Sequence, residues 1–591
     1  MERKRYSYQK RKKAETKLGK KSDLRLQSLM VVTVLVVIVV FFKLFDIQIL
    51  KNQYYSALAS DQHQIYEDLV PHRGTVYIED RFSKTINPLV VNKKMYLIYA
   101  VPKQIEDPLE AARDLSSILE VPESELYERL SKEDDAYEPL KKEVPEDRRN
   151  EIVEKNIKGI HSQPQEVRYY TENEFASHIL GFVGFDGEEK KGRYGIEGFY
   201  EDQLSGERGF LAAEKDALGR FVVGGEKLYS EAQDGDSMVL TIDRVMQYKV
   251  EKILKEAVEE FGAEKGSIIL MNPQNGEMIA LANYPSFNPN EYSKVEDVDV
   301  FTNSAIYDLY EPGSAFKPII MASAINLGLV SPHTVFDDSG SLKVDKFTIH
   351  NSDFAANGKI TMTQVLEKSS NIGMAYVGEM LGEERIHQYL ERFGFLDFTG
   401  IDLDSEATTD VPPPRKWSTV DYATISFGQG IAITPMRLVN ATAALANGGN
   451  MVKPHLVKKL IHADGSEEVI DTSFQRQAVS SSTADTVTAM LVSVVENGLG
   501  APAKVPGYKI AGKTGTAQVA AKGKKGYDPD QKITSFIGYG PVEDPQFVML
   551  VKFNNPGGDV WGANTAAPVF KRVAEEFFTY YQIPPTESVS K

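Results

Sequence analysis

At 591 residues the chain exceeds what one hydrophobic core usually serves, so two or more folded units are expected. Hydrophobic residues at 42% and charged residues at 26% are ordinary globular values and exclude a mainly disordered or fibrous chain. The absence of cysteine removes disulfides, thiol catalysis and Cys-ligated zinc.

The formal charge of −17 is unevenly spread, because residues 1–25 carry eleven Lys/Arg against Glu2, Glu15 and Asp23. That head is +8 and the remainder is −25, a balance that repels phosphates and argues against a nucleic-acid partner. The basic head ends where the 17-residue uncharged run Leu26–Phe42 begins. At a helical rise of about 1.5 Å per residue the run covers roughly 25 Å, close to the hydrocarbon thickness of a bilayer. Lys43 can snorkel while Leu44 and Phe45 extend the span, so the expectation is a transmembrane helix over 26–45. By the positive-inside rule residues 1–25 form a cytoplasmic tail, and everything after the span lies across the plasma membrane. Ala57-Leu58-Ala59 looks like a cleavage site, but it lies well beyond an apolar run already longer than a signal peptide needs, so a retained anchor is favoured.

Residues 46–58 continue the helical pattern, and extended segments follow at Thr75–Ile78 and Met95–Tyr99. Residues 106–160 read as short amphipathic helices, and the Gly-dense stretch between Gly181 and Gly225 as turns and short strands. A boundary falls near Asp234-Gly235-Asp236, before a strand at Met238–Ile242 and a long amphipathic helix at Arg244–Phe261. Gly266–Asn272 and Glu277–Ala282, separated by Pro273-Gln274-Asn275-Gly276, read as a hairpin. A helical section is expected from about Ser314 to Ala446, then strands at Lys509–Gln518, Thr534–Tyr539 and Phe547–Phe553 and a helix from Ala567 to about Tyr581. Strands at both ends of one domain, with helices between and after, imply an α/β or α+β sheet whose first and last segments meet.

Chemistry concentrates in Glu311-Pro312-Gly313-Ser314-Ala315-Phe316-Lys317-Pro318, which enters the apolar stretch Ile319–Ala324. Gly313 and Pro312 break the preceding structure, so Ser314 is placed at a helix start with Lys317 three residues on along the same face. A hydroxyl and an amine so paired suit a nucleophile and its base, beside the positive field of a helix N-terminus. By itself Ser-x-x-Lys also fits a capping serine and a solvated lysine. Two further elements change the odds: Ser369-Ser370-Asn371 in a helical context, and Lys513-Thr514-Gly515-Thr516 on an expected strand.

These three motifs in this order belong to penicillin-binding proteins and their β-lactamase relatives. Residues 230–585 resemble the transpeptidase domain of class B penicillin-binding proteins, including Leu240-Thr241-Ile242-Asp243, Ser426-Phe427-Gly428-Gln429-Gly430 and Thr434-Pro435. Upstream, Arg73-Gly74, Asp80-Arg81, Arg168-Tyr169-Tyr170, Gly195-Ile196-Glu197-Gly198 and Leu204-Ser205-Gly206 resemble the family's N-terminal pedestal. The pedestal (dimerisation) domain is then expected over 46–229, the transpeptidase domain over 230–585 and a tail over 586–591. The resemblance implies a five-stranded antiparallel sheet flanked by helices, of the serine β-lactamase/transpeptidase type. Two departures stand out: the first pedestal motif lacks the usual Asn-Gly after Asp80-Arg81, and Ala315 replaces the more usual Thr.

The resemblance implies catalytic roles for Ser314, Lys317, Ser369 and Lys513. Lys317 is useful as a base only when neutral, and moving a lysine from about 10.4 to about 7 costs roughly 4–5 kcal/mol. Burial and the second cation, Lys513, both push in that direction. Ser369 would relay a proton between the lysines and the leaving amine, Asn371 would hold the substrate amide, and Lys513, Thr514, Gly515 and Thr516 would bind a terminal carboxylate. The backbone N–H groups of Ser314 and Thr516 would form the oxyanion hole, whose individual donors are worth about 2.7–4 kcal/mol. By family, substrates are peptidoglycan stem peptides ending in D-Ala-D-Ala, and β-lactams acylate the same serine. A polytopic glycosyltransferase (FtsW-like) and division proteins are the expected partners.

The readings that compete are a hydrolase, either D,D-carboxypeptidase or β-lactamase, an elongation-type transpeptidase, and a non-catalytic assembly protein. Asn371 resembles division-type (FtsI-like) enzymes, where the elongation type often has Asp. No cofactor or metal is expected, because no His-Glu-x-x-His pattern and no Gly-rich phosphate loop occurs. The Lys522–Lys525 cluster reads as a solvated loop between strands.

Overall fold

A computed structural model describes Met30 and residues 33–44, 64–132, 135–187, 189–214, 227–409, 411–470, 474–520, 526–558 and 560–587. The expected helix over 46–58, the Lys522–Lys525 loop, the basic head and most of residues 586–591 lie outside these. Two compact units are distinguished, one formed by residues 1–71 with 207–233, the other by 72–206 with 234–591.

Within the first unit residues 33–44 are helical, with apolar side chains exposed, Val39 at 66% and Phe41 at 69%. Among the described residues no helix is long and apolar enough to cross a membrane. Strands Gln64–Leu69, Gly209–Glu214 and Lys227–Ser230 form a three-stranded antiparallel sheet.

The second unit is built around an antiparallel sheet of β1 (Lys265–Met271), β2 (Met278–Tyr284), β3 (Ala511–Ala520), β4 (Tyr527–Gly540) and β5 (Phe547–Asn554). Its order is β2-β1-β5-β4-β3, so segments far apart in sequence meet at the centre, as the strand pattern requires. Alternate residues of β5 enter different cores. Val548 and Leu550 join the larger apolar cluster, whereas Met549, Val551 and Phe553 pack with helices α1 (Arg244–Phe261) and α6 (Ala566–Tyr580). Both faces are covered, which is why these strands read as continuous apolar runs. The larger core also takes α2 (Lys317–Asn326), α3 (Asn371–Arg392) and α4 (Pro435–Ala446), with α5 (Ser481–Asn497) beside them. Every residue of α4 is buried, so the helix runs through the interior.

Two expectations about local structure are corrected. The section from Ser314 to Ala446 is interrupted by strands Val335–Asp338, Ser341–Val344, Phe347–His350 and Gly358–Thr361, paired as two small ribbons. Left-handed turn positions at Gly340, Asp345 and Gly358 close these ribbons and break any helical period. The stretch 106–160 contains helices Pro108–Leu119, Glu123–Leu130 and Glu146–Glu154, but also strand Glu138–Val144.

A seven-stranded sheet joins the N-terminal part of this unit to the rest: Ser237–Leu240 pairs in parallel with Val76–Glu79 and antiparallel with Val457–Ile461. At its side Glu197, wholly buried, takes Arg73 Nε at 2.7 Å on one carboxylate oxygen and Arg168 Nε at 2.6 Å on the other. The two guanidinium groups hold its carboxyl below the usual range against the opposing effect of burial. In the turn lacking Asn-Gly, Asp80 Oδ1 accepts from the N–H groups of Phe82 and Ser83, and the Arg81 guanidinium stacks 3.7 Å from the Tyr581 ring.

Candidate active site

Ser314 sits on the single 3₁₀ turn Gly313–Phe316, from which α2 continues at Lys317. Two glycine contacts fix that turn. Gly313 (φ +53°) lies so close to β3 that an added Cβ would be 2.6 Å from the Thr516 carbonyl oxygen, and its N–H donates to Gly428 O at 3.0 Å. Gly428 (φ +80°) in turn would place a Cβ 2.1 Å from Gly313 O, so neither position has room for a side chain. Reciprocal backbone bonds of 3.0 Å between Tyr310 and Ile433 pin the approach to the turn. Glu311 accepts from Gly430 N at 3.0 Å and from the Tyr527 hydroxyl at 2.9 Å.

α2 is apolar on all sides and its first eight residues are buried, which draws Lys317 completely out of solvent. Its Nζ donates to Ser369 O at 2.6 Å, Ser369 Oγ at 3.1 Å and Asn371 Oδ1 at 2.9 Å. Burial first, and then the Lys513 ammonium, pull Lys317 well below the ordinary lysine range, while Asp338 acts in the opposite sense. The second motif lies between helix Met362–Glu367 and α3, with Ser370 capping α3 by accepting from Gly373 N at 3.0 Å. Ser369 is held at φ +56°, a left-handed conformation that costs a non-glycine residue of order 1–3 kcal/mol.

The third motif occupies β3, the edge strand beside the Ser314 turn. Lys513 is also completely buried, and burial brings it down to about 7. Its Nζ donates to the carbonyl and hydroxyl of Thr514 at 3.3 and 3.2 Å. Gly515 is tucked under the turn, where a Cβ would meet Ser535 Oγ at 2.3 Å and Ala315 Cβ at 3.0 Å. The small side chain of Ala315 is therefore part of the fit between turn and strand. Thr516 Oγ1 accepts from Gly562 N at 3.2 Å. Among the described residues neither buried lysine makes an ion pair, and no group of His, Cys, Asp and Glu that could hold a metal occurs.

The structure thus brings Ser314, Lys317, Ser369, Asn371 and Lys513–Thr516 to one place. Asp338 and Asn351, which support the second motif, escaped the sequence reading because their segment passed for helix; the turn-forming run Asp337-Asp338-Ser339-Gly340 was the available signal.

The family model "Penicillin binding protein transpeptidase domain" matches residues 266–575, and "Penicillin-binding Protein dimerisation domain" matches 68–240. Stage V sporulation protein D of Bacillus subtilis is 30% identical over 95% of this chain and 87% of its own length. This chain belongs to the class B penicillin-binding proteins. Within that family, peptidoglycan D,D-transpeptidase FtsI of Escherichia coli is 30% identical over 82% of this chain and 80% of its own. Penicillin-binding protein 3 of Mycobacterium tuberculosis, solved in complex with aztreonam, is 25% identical with a TM-score of 0.67, covering 88% of this penicillin-binding protein and 99% of that chain. Membership makes the protein a serine-type transpeptidase enzyme.

Proposed function

We propose that the protein crosslinks peptidoglycan by D,D-transpeptidation through an acyl-enzyme on Ser314. One observation carries the reading: two wholly buried lysines with no carboxylate in ion-pair contact among the described residues converge on the turn bearing a half-buried serine. Such lysines are costly to fold, and their use is chemistry that needs an amine more easily deprotonated than an ordinary lysine.

In the first half-reaction neutral Lys317 takes the Ser314 hydroxyl proton as Oγ bonds to the penultimate D-Ala carbonyl carbon. Backbone N–H groups of Ser314 and Thr516 receive the developing oxyanion. The peptide C–N bond then breaks, the proton returns through Ser369 to the leaving nitrogen, and D-Ala departs. In the second half-reaction the amine of a neighbouring stem peptide attacks the ester, loses its proton through the same groups and restores the serine. Lys513, Thr514 and Thr516 bind the terminal carboxylate, Gly515 provides the close approach of strand to turn, and Asn371 orients the substrate amide. β-Lactams acylate Ser314 as mimics of the D-Ala-D-Ala terminus.

Similarity to FtsI and the Asn371 form of the second motif support a septal role with division proteins and an FtsW-like glycosyltransferase as partners. The similarity to a sporulation protein over 95% of the chain favours a second reading, wall synthesis confined to sporulation. Depletion during vegetative growth separates them, since only the first gives filaments. The uncharged run 26–42 after a basic head supports anchoring by one span over 26–45, with the catalytic part outside the cell.

Incubation of the purified protein with a labelled penicillin should add one acyl group, mapped to Ser314. Absence of an adduct, or an adduct retained in Ser314→Ala, refutes the mechanism. With stem peptides and an amine acceptor, crosslinked dimer is expected, and free tetrapeptide alone would indicate a hydrolase.

A further inference from the structure

All three acceptors around the Lys317 ammonium belong to residues 369–371, so whatever registers that segment also positions the base. The segment is strained at Ser369, and backbone bonds from Ser369 N to Leu366 O (3.2 Å) and Ser370 N to Val365 O (2.9 Å) tie one side of it to the preceding helix, while the other side relies on side chains. Its support comes from Asn351, which is buried and whose side-chain oxygen accepts from Asn371 N at 2.9 Å, Ser370 Oγ at 3.2 Å and Ile372 N at 3.4 Å.

That role depends on which way the Asn351 amide faces. Turned over, its NH₂ would confront the N–H groups of Asn371 and Ile372, which can only donate. The orientation is fixed on the other side by Asp338, wholly buried at the end of strand Val335–Asp338. Asn351 Nδ2 donates to Asp338 Oδ1 at 2.9 Å and Oδ2 at 3.1 Å, and to Ala355 O at 2.9 Å. Gly340 N (3.0 Å), Asn357 Nδ2 (2.9 Å) and the Ser370 hydroxyl also donate to the carboxylate. An ionised carboxylate only accepts, so it admits one orientation of Asn351, whereas an amide at 338 would not.

We propose that Asp338 is a positioning residue for acylation: by fixing which way the Asn351 amide faces, it holds residues 369–371 against the Lys317 ammonium. It also supplies the negative charge in a site with two buried lysines. The charged groups that act on Lys317 are Lys513 from β3 and Asp338 from its own strand, with opposite effects. Removing the carboxylate leaves Lys513 unopposed.

The inference rests on the acyl-enzyme reading, and its test separates the two. The rate of acylation by a labelled penicillin is followed from pH 5.5 to 9 on the full chain. The end-point counts folded enzyme, and the rate constant of that fraction reports the site. Asp338→Asn is expected to slow acylation about 10- to 100-fold, as small misplacements of a catalytic group do, and to move the acid limb of the profile to lower pH. Asn351→Ala, which keeps the charge, should slow it comparably with a smaller displacement of the limb, and it carries the test if Asp338→Asn does not fold. A rate constant and limb midpoint unchanged in the folded fraction of either variant overturns the proposal. If the native protein is not acylated, the acyl-enzyme reading fails first.

Discussion

Lys513 offers a direct way to measure what the site costs the fold. It is wholly buried without an ion pair, and burial takes it from 10.5 to about 7. That displacement corresponds to about 5 kcal/mol at pH values where the unfolded chain holds the proton freely. Lys513→Met keeps the length and apolar stem and removes the ammonium. Against the gain stands the loss of two long hydrogen bonds to Thr514, together worth about 1–2 kcal/mol. A net stabilisation of about 3 kcal/mol remains, or about 3 °C in melting temperature for a unit of this size at about 2.1 cal/mol/K of unfolding entropy per residue. The pH dependence has a definite sign. Below about pH 7 both folded and unfolded forms bind the proton and the full difference is present. Between about 7 and 10.4 only the unfolded form binds it, so native stability rises by about 1.4 kcal/mol per pH unit and the variant's advantage shrinks. Thermal unfolding at pH 7 and pH 9.5, with penicillin acylation measured in parallel, tests this. The variant should be more stable at pH 7, nearly level with the native protein at 9.5, and strongly impaired in acylation. No gain at pH 7, or a gap that does not narrow, would refute the reasoning.

Glu197→Ala leaves the buried guanidinium groups of Arg73 and Arg168 uncompensated and should cost about 3–5 kcal/mol, read as a lower denaturant midpoint. Because the folded carboxyl titrates below its unfolded value, its contribution is present above about pH 4.3 and fades as pH falls through the folded value. Gly515→Ala drives a methyl to 2.3 Å from Ser535 Oγ and 3.0 Å from Ala315 Cβ, and should slow acylation about 10- to 100-fold, partly restored by Ser535→Gly. A native rate in the single variant contradicts the packing argument. Acylation should rise with pH through an acid limb set by deprotonation of Lys317, at a midpoint well below the ordinary lysine range. A midpoint near 10 would remove Lys317 as the base.

The central sheet was legible because β1, β2, β5 and the buried second half of β4 are short, largely apolar runs, and burial on both faces leaves no other way to use them. The catalytic groups were legible because their chemistry needs rare combinations of residue types. The small ribbons between Val335 and Thr361 were not, since at four residues each they are too short to show a period of two, and pairing rather than propensity forms them. For the same reason Asp338 and Asn351 were invisible: an aspartate and an asparagine thirteen residues apart carry no signal until the chain folds them together.

The primary structure alone determined which groups are available, a serine three residues before a lysine, a second lysine before Thr-Gly-Thr, and an apolar segment that must bury whatever it carries. Tertiary structure decided what those groups became. Helix α2 and strand β3 lie almost two hundred residues apart in the chain, yet their ammonium groups share one interior. It is loss of water at both lysines, and at Lys317 also the neighbouring Lys513 ammonium, neither of which exists in the extended chain, that lower the proton affinity of two ordinary cations.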